Sequence, residues 1–236
     1  CQAVDDDIDF TIYDDDKDGE IDNVFIFFAG ADEAEGAGED CIWSHAWYIF
    51  EGTGQTVTLD GKMVNRYACC SELSRRYHGR SYDETFTGIG TFCHEYSHTF
   101  GLPDFYDTDY EGSGGNSAGL WIWTSLMDGG NQNNHTNTPP FFNAIEREML
   151  GLCTPETITA DGSFRLEPIN VGGQAYRLDT DVEDEYFLIE CRSGKEWDSH
   201  IGGSGMLIYH VDRSGNDSGR SDTYGKSSTA AERWFN

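Results

Sequence analysis

The sequence of 236 residues is 37% hydrophobic and 14% aromatic, and it contains 28 glycines but only 5 prolines, a composition typical of a turn-rich globular domain and not of a disordered chain. The formal net charge of -28 makes nucleic acids and anionic membranes unsuitable partners and favours divalent cations as counterions. Since no apolar stretch is long enough for a membrane helix, we expect no membrane insertion.

The cysteines and the first residue give little information on the fold or the function. Seven cysteines are present, none in a Cys-x-x-Cys pair, and the odd number leaves disulfide pairing open. The chain begins at Cys1 without an initiator methionine, so we expect a fragment of a longer precursor.

An acidic loop near the start of the chain has the spacing of a calcium-binding loop. Its residues are Asp14, Asp16, Asp18, Gly19, Glu20 and Asp22. In a loop of the EF-hand type the first three aspartates would ligate Ca²⁺ through their side chains, Glu20 through its carbonyl and Asp22 through water. Phe25 stands where that loop needs a bidentate glutamate, so we expect a calcium loop completed by oxygens from elsewhere. A solvated acidic turn is the alternative.

The next segments predict strands. Residues 24–28 form a short apolar run with the character of a buried strand. Asp60-Gly61, between residues 57–59 and 62–64, is a strong signal for a two-residue hairpin.

Residues 87–100 then predict a helix, because apolar residues recur at helical spacing and Gly101 and Pro103 follow. The apolar stripe consists of Ile89, Phe92, Tyr96 and Phe100. After an irregular stretch, residues 141–152 predict a second helix, and strands follow at residues 163–166, 186–190 and 206–210. This order predicts an α+β fold, with residues 1–155 as a catalytic core and residues 156–236 as a β-rich C-terminal part.

The first predicted helix carries the strongest chemical signal, His94-Glu95-Tyr96-Ser97-His98. Two histidines four residues apart lie on one helix face, so that both imidazoles can reach one Zn²⁺ while Glu95 projects beside an open coordination position. Three protein ligands and a water would make this zinc catalytic.

The third zinc ligand is predicted to be Asp104, which follows the turn made by Gly101, Leu102 and Pro103 and fits the spacing of the long zincin motif. Asp107 in the same loop and Glu146 or Glu148 on the second helix are the alternatives. Further along, Met127 ends an apolar segment at a tight turn and would supply a soft hydrophobic floor under the metal, unless it is an ordinary core residue.

Residues 94–107, HEYSHTFGLPDFYD, and residues 125–130, SLMDGG, resemble the immune inhibitor A family of bacterial metallopeptidases. The acidic start and residues 42–45, 187–192 and 205–212 are similar to the flanking segments of that family. The resemblance implies a metzincin-like zincin domain, in which a twisted sheet, an active-site helix, a Met-turn at Met127 and a second helix precede a β-rich extension. It also implies a bacterial enzyme, secreted or on the cell surface, made with an inhibitory pro-peptide and acting as a monomer on protein or peptide substrates.

The predicted function is therefore a secreted zinc-dependent endopeptidase. Glu95 would act as general base on a zinc-bound water and then pass the proton to the departing amine, and Tyr96, Tyr106 or Tyr110 would donate a further hydrogen bond to the transition state. Two other functions stay open: a non-catalytic, calcium-stabilised binding module that retains a zincin fold, and a zinc aminopeptidase with a distant glutamate ligand.

Overall fold

The structure is a computed structural model that describes residues 1–78, 81–106 and 122–212. Contact density divides the chain into two units: Cys1–Thr87 with His94–Phe100, and Gly88–Cys93 with Gly101–Asn236. Sheets are combined with a few short helices, which confirms the predicted mixed character of the fold. Among the residues described, no helix is long and apolar enough to cross a membrane. The division near residue 155 stays a prediction.

The first unit is built around one long central strand. Its elements in chain order are β1 (Val24–Ala31), β2 (His45–Tyr48), α1 (Ile49–Thr53), β3 (Val57–Leu59), β4 (Lys62–Val64), β5 (Arg66–His78) and β6 (Ser81–Phe86). Strand β5 pairs in parallel with β1 and antiparallel with β2 and β6. The predicted hairpin is confirmed as β3–β4, and left-handed φ angles of 50° at Asp60 and 79° at Gly61 suit the tight turn.

The burial predicted for residues 24–28 is wrong in part. Val24 packs against a small core of Phe10, Ile21, Leu59 and Val64, but Ile26 is 45% and Phe27 65% exposed. Among the described strands β1 pairs only with β5, so it is an edge strand that neighbouring elements cover incompletely.

The second unit places a helix against a mixed sheet of four strands. Its elements are α3 (Ala144–Met149), β7 (Glu156–Thr157), β8 (Tyr176–Asp179), β9 (Glu185–Arg192) and β10 (Gly205–Asp212). Side chains of β9 alternate between half-buried and buried positions, and Tyr186 and Leu188 pack with Ala144 and Ile145 of α3. The helix is shorter than predicted at both ends, because Asn143 caps its first turn and the left-handed Gly151, with φ +68°, follows its C-cap at Leu150.

The strand predicted at residues 163–166 is wrong. This segment lies in no strand and is largely exposed. The ring of Phe164 contacts Tyr176 at 5.5 Å between centroids, and the Tyr176 hydroxyl donates to the Arg165 carbonyl over 3.1 Å. These local contacts take the place of strand pairing.

Candidate metal centre

Helix α2 (Ile89–Thr99) buries a polar set of side chains. The buried residues are Thr91, His94, Glu95, Ser97 and Thr99, whereas Ile89 is 45% and Phe100 57% exposed. The predicted apolar stripe is therefore only partly covered. Burial of a glutamate and a histidine on one short helix costs free energy unless hydrogen bonds or a metal compensate for the lost hydration.

The end of α2 is fixed by polar contacts from the first unit. Arg66 donates from Nη1 to the Thr99 carbonyl over 2.5 Å, and Asn23 donates from its side-chain amide to the Thr99 hydroxyl. A guanidinium at a helix C-terminus satisfies a free carbonyl and suits the negative end of the helix dipole. Gly101, with φ +92°, then ends the helix in the left-handed conformation, as predicted.

The start of α2 lies against a loop of the second unit. Gly88 N donates to Thr136 Oγ1 over 2.8 Å, and Gly90 N donates to Thr136 O over 2.7 Å. Asn134, His135 and Thr136 all have left-handed φ angles, of 50°, 56° and 65°. A run of three such residues without glycine is strained, and the contacts with α2 hold it in this shape.

His94, His98 and Asp104 form a group of side chains whose ligand atoms converge. Each offers one ligand atom, and these atoms all lie within 4.8 Å of one another. The two imidazoles meet edge to face, with centroids 4.8 Å apart and an interplanar angle of 88°. Ligand atoms around a tetrahedral zinc lie about 3.3 Å apart, so small side-chain movements separate this arrangement from a closed site. Two imidazoles and a carboxylate suit zinc better than Ca²⁺ or Mg²⁺, so the residues fit the ion.

The alternative third ligands lie in different surroundings from Asp104. Glu146 is fully buried, with its carboxylate bound to Ser125, Met127 and Asn143, and Glu148 accepts a hydrogen bond of 2.7 Å from the Tyr186 hydroxyl. Asp107 lies outside the described residues, as does Tyr110 among the candidate hydrogen-bond donors. Of the other two donors, Tyr96 has ring contacts with Phe25 and Phe100, and Tyr106 is 38% exposed.

Met127 is completely buried in the second unit. It forms a cluster with Leu102 and Leu126, against which Cys93 and Phe105 pack. Residues 126–128 form a turn, and Gly130 N, just beyond it, donates to Ser125 O over 2.9 Å. The cluster of Met127 thus includes or contacts Cys93, next to His94 in the sequence, and Leu102 and Phe105, on either side of Asp104. Sequence reasoning missed the carboxylate of Glu146 that holds this turn, because the signal for it, an asparagine three residues before a glutamate, predicts only a helix cap.

Burial affects the pKa of three cysteine thiols. Burial raises the pKa of Cys70 to about 12, with the negative charge of Asp32 adding to the effect, and burial likewise raises the pKa of Cys69 and of Cys93. A raised pKa disfavours the thiolate form of these side chains in the absence of a metal ion. All seven cysteines lie in the part of the chain that the structure describes, and no disulfide joins them.

The acidic loop forms the second group of converging ligand atoms among the described residues, from Asp14, Asp16 and Asp18. Gly19 makes the turn with φ +94°, and its N–H donates to Asp14 Oδ2 over 3.1 Å. Lys62 also donates to Asp14 Oδ2, over 2.5 Å, and this hydrogen bond lowers the pKa of Asp14. Asp22 accepts from Asp15 N over 2.9 Å, and Glu20 lies beside Met63 of β4 in an isolated parallel bridge.

Residues 4–151 match the immune inhibitor A peptidase M6 family, catalytic domain. The chain belongs to this family. It is 35% identical over 127 residues to immune inhibitor A of Bacillus thuringiensis subsp. alesti, covering 48% of this chain and 16% of that protein. It is 37% identical over 106 residues to the pre-pro-metalloprotease PrtV of Vibrio cholerae serotype O1 (strain M66-2), covering 41% of this chain and 10% of that protein.

Membership of the immune inhibitor A family confirms the predicted resemblance and the prediction of a metalloendopeptidase. The chain spans less than a fifth of the length of the two relatives. The family match ends at residue 151, and residues 152–236 lie beyond it.

Proposed function

We propose that this catalytic domain is a zinc-dependent endopeptidase in which His94, His98 and Asp104 hold the metal and Glu95 is the general base. The observation that carries the proposal is the convergence of the three ligand atoms within 4.8 Å at the end of a helix whose polar face is buried. The donor set matches that of a catalytic zinc, which has three protein ligands and a water molecule in the fourth position.

The roles of the residues follow from their positions. Bound zinc supplies acidification of a water molecule and polarisation of the scissile carbonyl. Glu95 is adjacent to His94 on α2 and only 8% exposed, so its carboxylate can hold the proton removed from the attacking water in a site with little bulk solvent. The same carboxyl group then donates that proton to the departing amine. Arg66 and Asn23 keep the end of the helix, and with it His98, in place.

We also propose the finer architecture of a metzincin-like zincin. Helix α2, the buried Met127 turn and helix α3 follow one another in the order that this architecture requires. Leu102 and Phe105 contact Met127, which supports its role as a hydrophobic floor beside the metal-binding segment.

A structural calcium site in the acidic loop is the next part of the proposal. The side chain of Asp14 is fully buried, and its Oδ1 accepts no hydrogen bond, although Oδ2 receives two. A buried carboxylate oxygen without a donor is costly, and a cation bound to Oδ1 together with Asp16 and Asp18 would remove that cost. Glu20 would add its carbonyl and Asp22 a water-mediated contact.

Export and latency are proposed from the relatives. PrtV is named a pre-pro-metalloprotease, which supports a leader and a pro-peptide for the precursor of this chain too. We therefore propose a bacterial enzyme, secreted or on the cell surface, that acts as a monomer on protein or peptide substrates. Its strongly negative charge suits an environment that contains calcium.

The test of the catalytic proposal is the substitution Glu95→Gln. The variant is expected to retain one zinc per chain and to hydrolyse casein at least about a hundredfold more slowly, because the base is lost and the ligands are not. Glu148→Gln, on a glutamate bound to Tyr186, is the matched control and should keep both properties. A Glu95→Gln protein that cleaves casein at the wild-type rate would contradict the assigned role, and products trimmed only from the N-terminus would favour an aminopeptidase.

A further inference from the structure

Two glutamates of the second unit are completely buried, and they differ in what they hold. Glu146 Oε1 accepts from Ser125 Oγ over 2.7 Å and from Met127 N over 3.0 Å, and its Oε2 accepts from Asn143 N over 2.7 Å. Glu190 accepts instead from Ala144 N and from the Tyr209 hydroxyl. Only Glu146 therefore binds the Met127 turn directly.

Glu146 is itself held in one conformation. Its backbone N–H donates to Asn143 Oδ1 over 2.9 Å, so Asn143 and Glu146 form a reciprocal cap on the first turn of α3. Burial raises the pKa of Glu146, and the hydrogen bonds from Ser125, Met127 and Asn143 oppose that shift because all three partners donate to the carboxylate. The start of α3 and the Met127 turn are thereby tied at one carboxylate.

The Met127 turn also holds the segment that carries Asp104. Phe105 N donates to Met127 O over 2.9 Å, and Leu102 and Phe105 both pack in the Met127 cluster. Asp104 lies between these two residues in the sequence, only two positions from the first and one from the second. Its backbone is consequently anchored on both sides to Met127.

We propose that Glu146 is a positioning residue for the metal centre: its carboxylate fixes the Met127 turn, and the turn fixes the backbone that presents Asp104. The inference rests on the proposed function, since it takes Asp104 as a metal ligand. Glu146 acts through hydrogen bonds and not as a ligand, because both of its oxygens are engaged by donors.

The substitution Glu146→Gln isolates this role. Glutamine has nearly the same volume as glutamate, so the packing remains. In one orientation its NH₂ group would face the donor Asn143 N, and in the other the donors of Ser125 and Met127, so part of the hydrogen bonding is lost. A looser turn lets Asp104 spread over more positions, and the metal leaves faster. Supporting residues outside the ligand set change metal affinity about 10- to 100-fold in known sites.

The experiment measures metal release from the intact chain. Zinc transfer to excess 4-(2-pyridylazo)resorcinol is followed well below the melting temperature of each protein, and the visible spectrum of the Co²⁺ form reports the ligand geometry. Glu146→Gln is expected to release zinc about tenfold faster than wild type and to alter the Co²⁺ bands. Glu190→Gln, the matched control at an equally buried glutamate, should lose stability yet release zinc within about twofold of wild type.

The outcomes separate the two proposals. A wild-type chain that takes up neither zinc nor Co²⁺ would overturn the proposed function. If wild type binds metal but Glu146→Gln releases it at the wild-type rate, or Glu190→Gln releases it equally fast, the positioning role of Glu146 is wrong while the zinc site stands.

Should Glu146→Gln fail to fold, Ser125→Ala removes one hydrogen bond to the same carboxylate. It is expected to speed zinc release about threefold, because only one of the hydrogen bonds to Glu146 is lost. An unchanged rate would overturn the inference.

Discussion

Gly90 offers a prediction whose size can be worked out from the packing at the start of α2. A Cβ placed on Gly90 would lie 1.9 Å from the backbone oxygen of Asn131 and 3.0 Å from that of Thr136. Neither atom is the end of a flexible side chain, so the helix or the loop must shift. Such overpacking costs about 3 kcal/mol at the upper end of the usual range. Disturbing the Gly90–Thr136 hydrogen bond adds about 1 kcal/mol, and the better helix propensity of alanine offsets about 1 kcal/mol.

Gly90→Ala is therefore expected to lower the free energy of unfolding by about 3 kcal/mol, a fall of about 6–12 °C in Tm for a chain of this size. Urea denaturation followed by circular dichroism measures the change. The matched control is Gly52→Ala in helix α1, where the new Cβ meets only Trp47 at an ordinary 3.4 Å. That variant should be neutral or gain up to about 1 kcal/mol. A Gly90→Ala protein within about 0.5 kcal/mol of wild type would refute the close packing of α2 on this loop.

Two further predictions concern cysteine chemistry and calcium. Burial raises the pKa of Cys70 to about 12, so only about one in 10⁴ of its thiols is ionised at pH 8. Iodoacetamide should therefore modify Cys1 in the folded protein and reach Cys70 only after unfolding in urea. Rapid labelling of folded Cys70 would contradict its burial. Chelation with EGTA is expected to lower the Tm before zinc is lost, since calcium at a hundred times its Kd stabilises the fold by about 2.7 kcal/mol. Asp14→Asn should abolish the calcium-dependent part of the Tm, and a wild-type Tm that does not respond to EGTA would count against the site.

The sequence was most informative where function depends on local spacing. His94 and His98 are one helical turn apart, and Asp104 follows a glycine that must adopt a left-handed conformation, so their meeting is determined within eleven consecutive residues. The hairpin at Asp60 and Gly61 was predictable for the same reason. In these segments local chemistry and the final structure agree.

Sequence reasoning failed where a residue depends on distant partners. The contacts of Glu146 bring together residues about twenty positions apart, and nothing in the helix-cap signal indicates that the same carboxylate also holds a methionine turn. The alternation of residues 163–166 resembles a strand, but no neighbouring strand accepts it, and its side chains stay exposed. The partial exposure of β1 was hidden as well, because an apolar run does not reveal how much of a strand will be covered.

The left-handed run at Asn134, His135 and Thr136 has a consequence for how the protein folds. Such residues cost about 1–2 kcal/mol each, so an isolated peptide with this sequence would abandon the shape seen here. The loop can persist only once Gly88 and Gly90, more than forty residues earlier, are available to donate to Thr136. Loop and helix start therefore stabilise each other, and the loop is expected to take its final shape together with the beginning of α2.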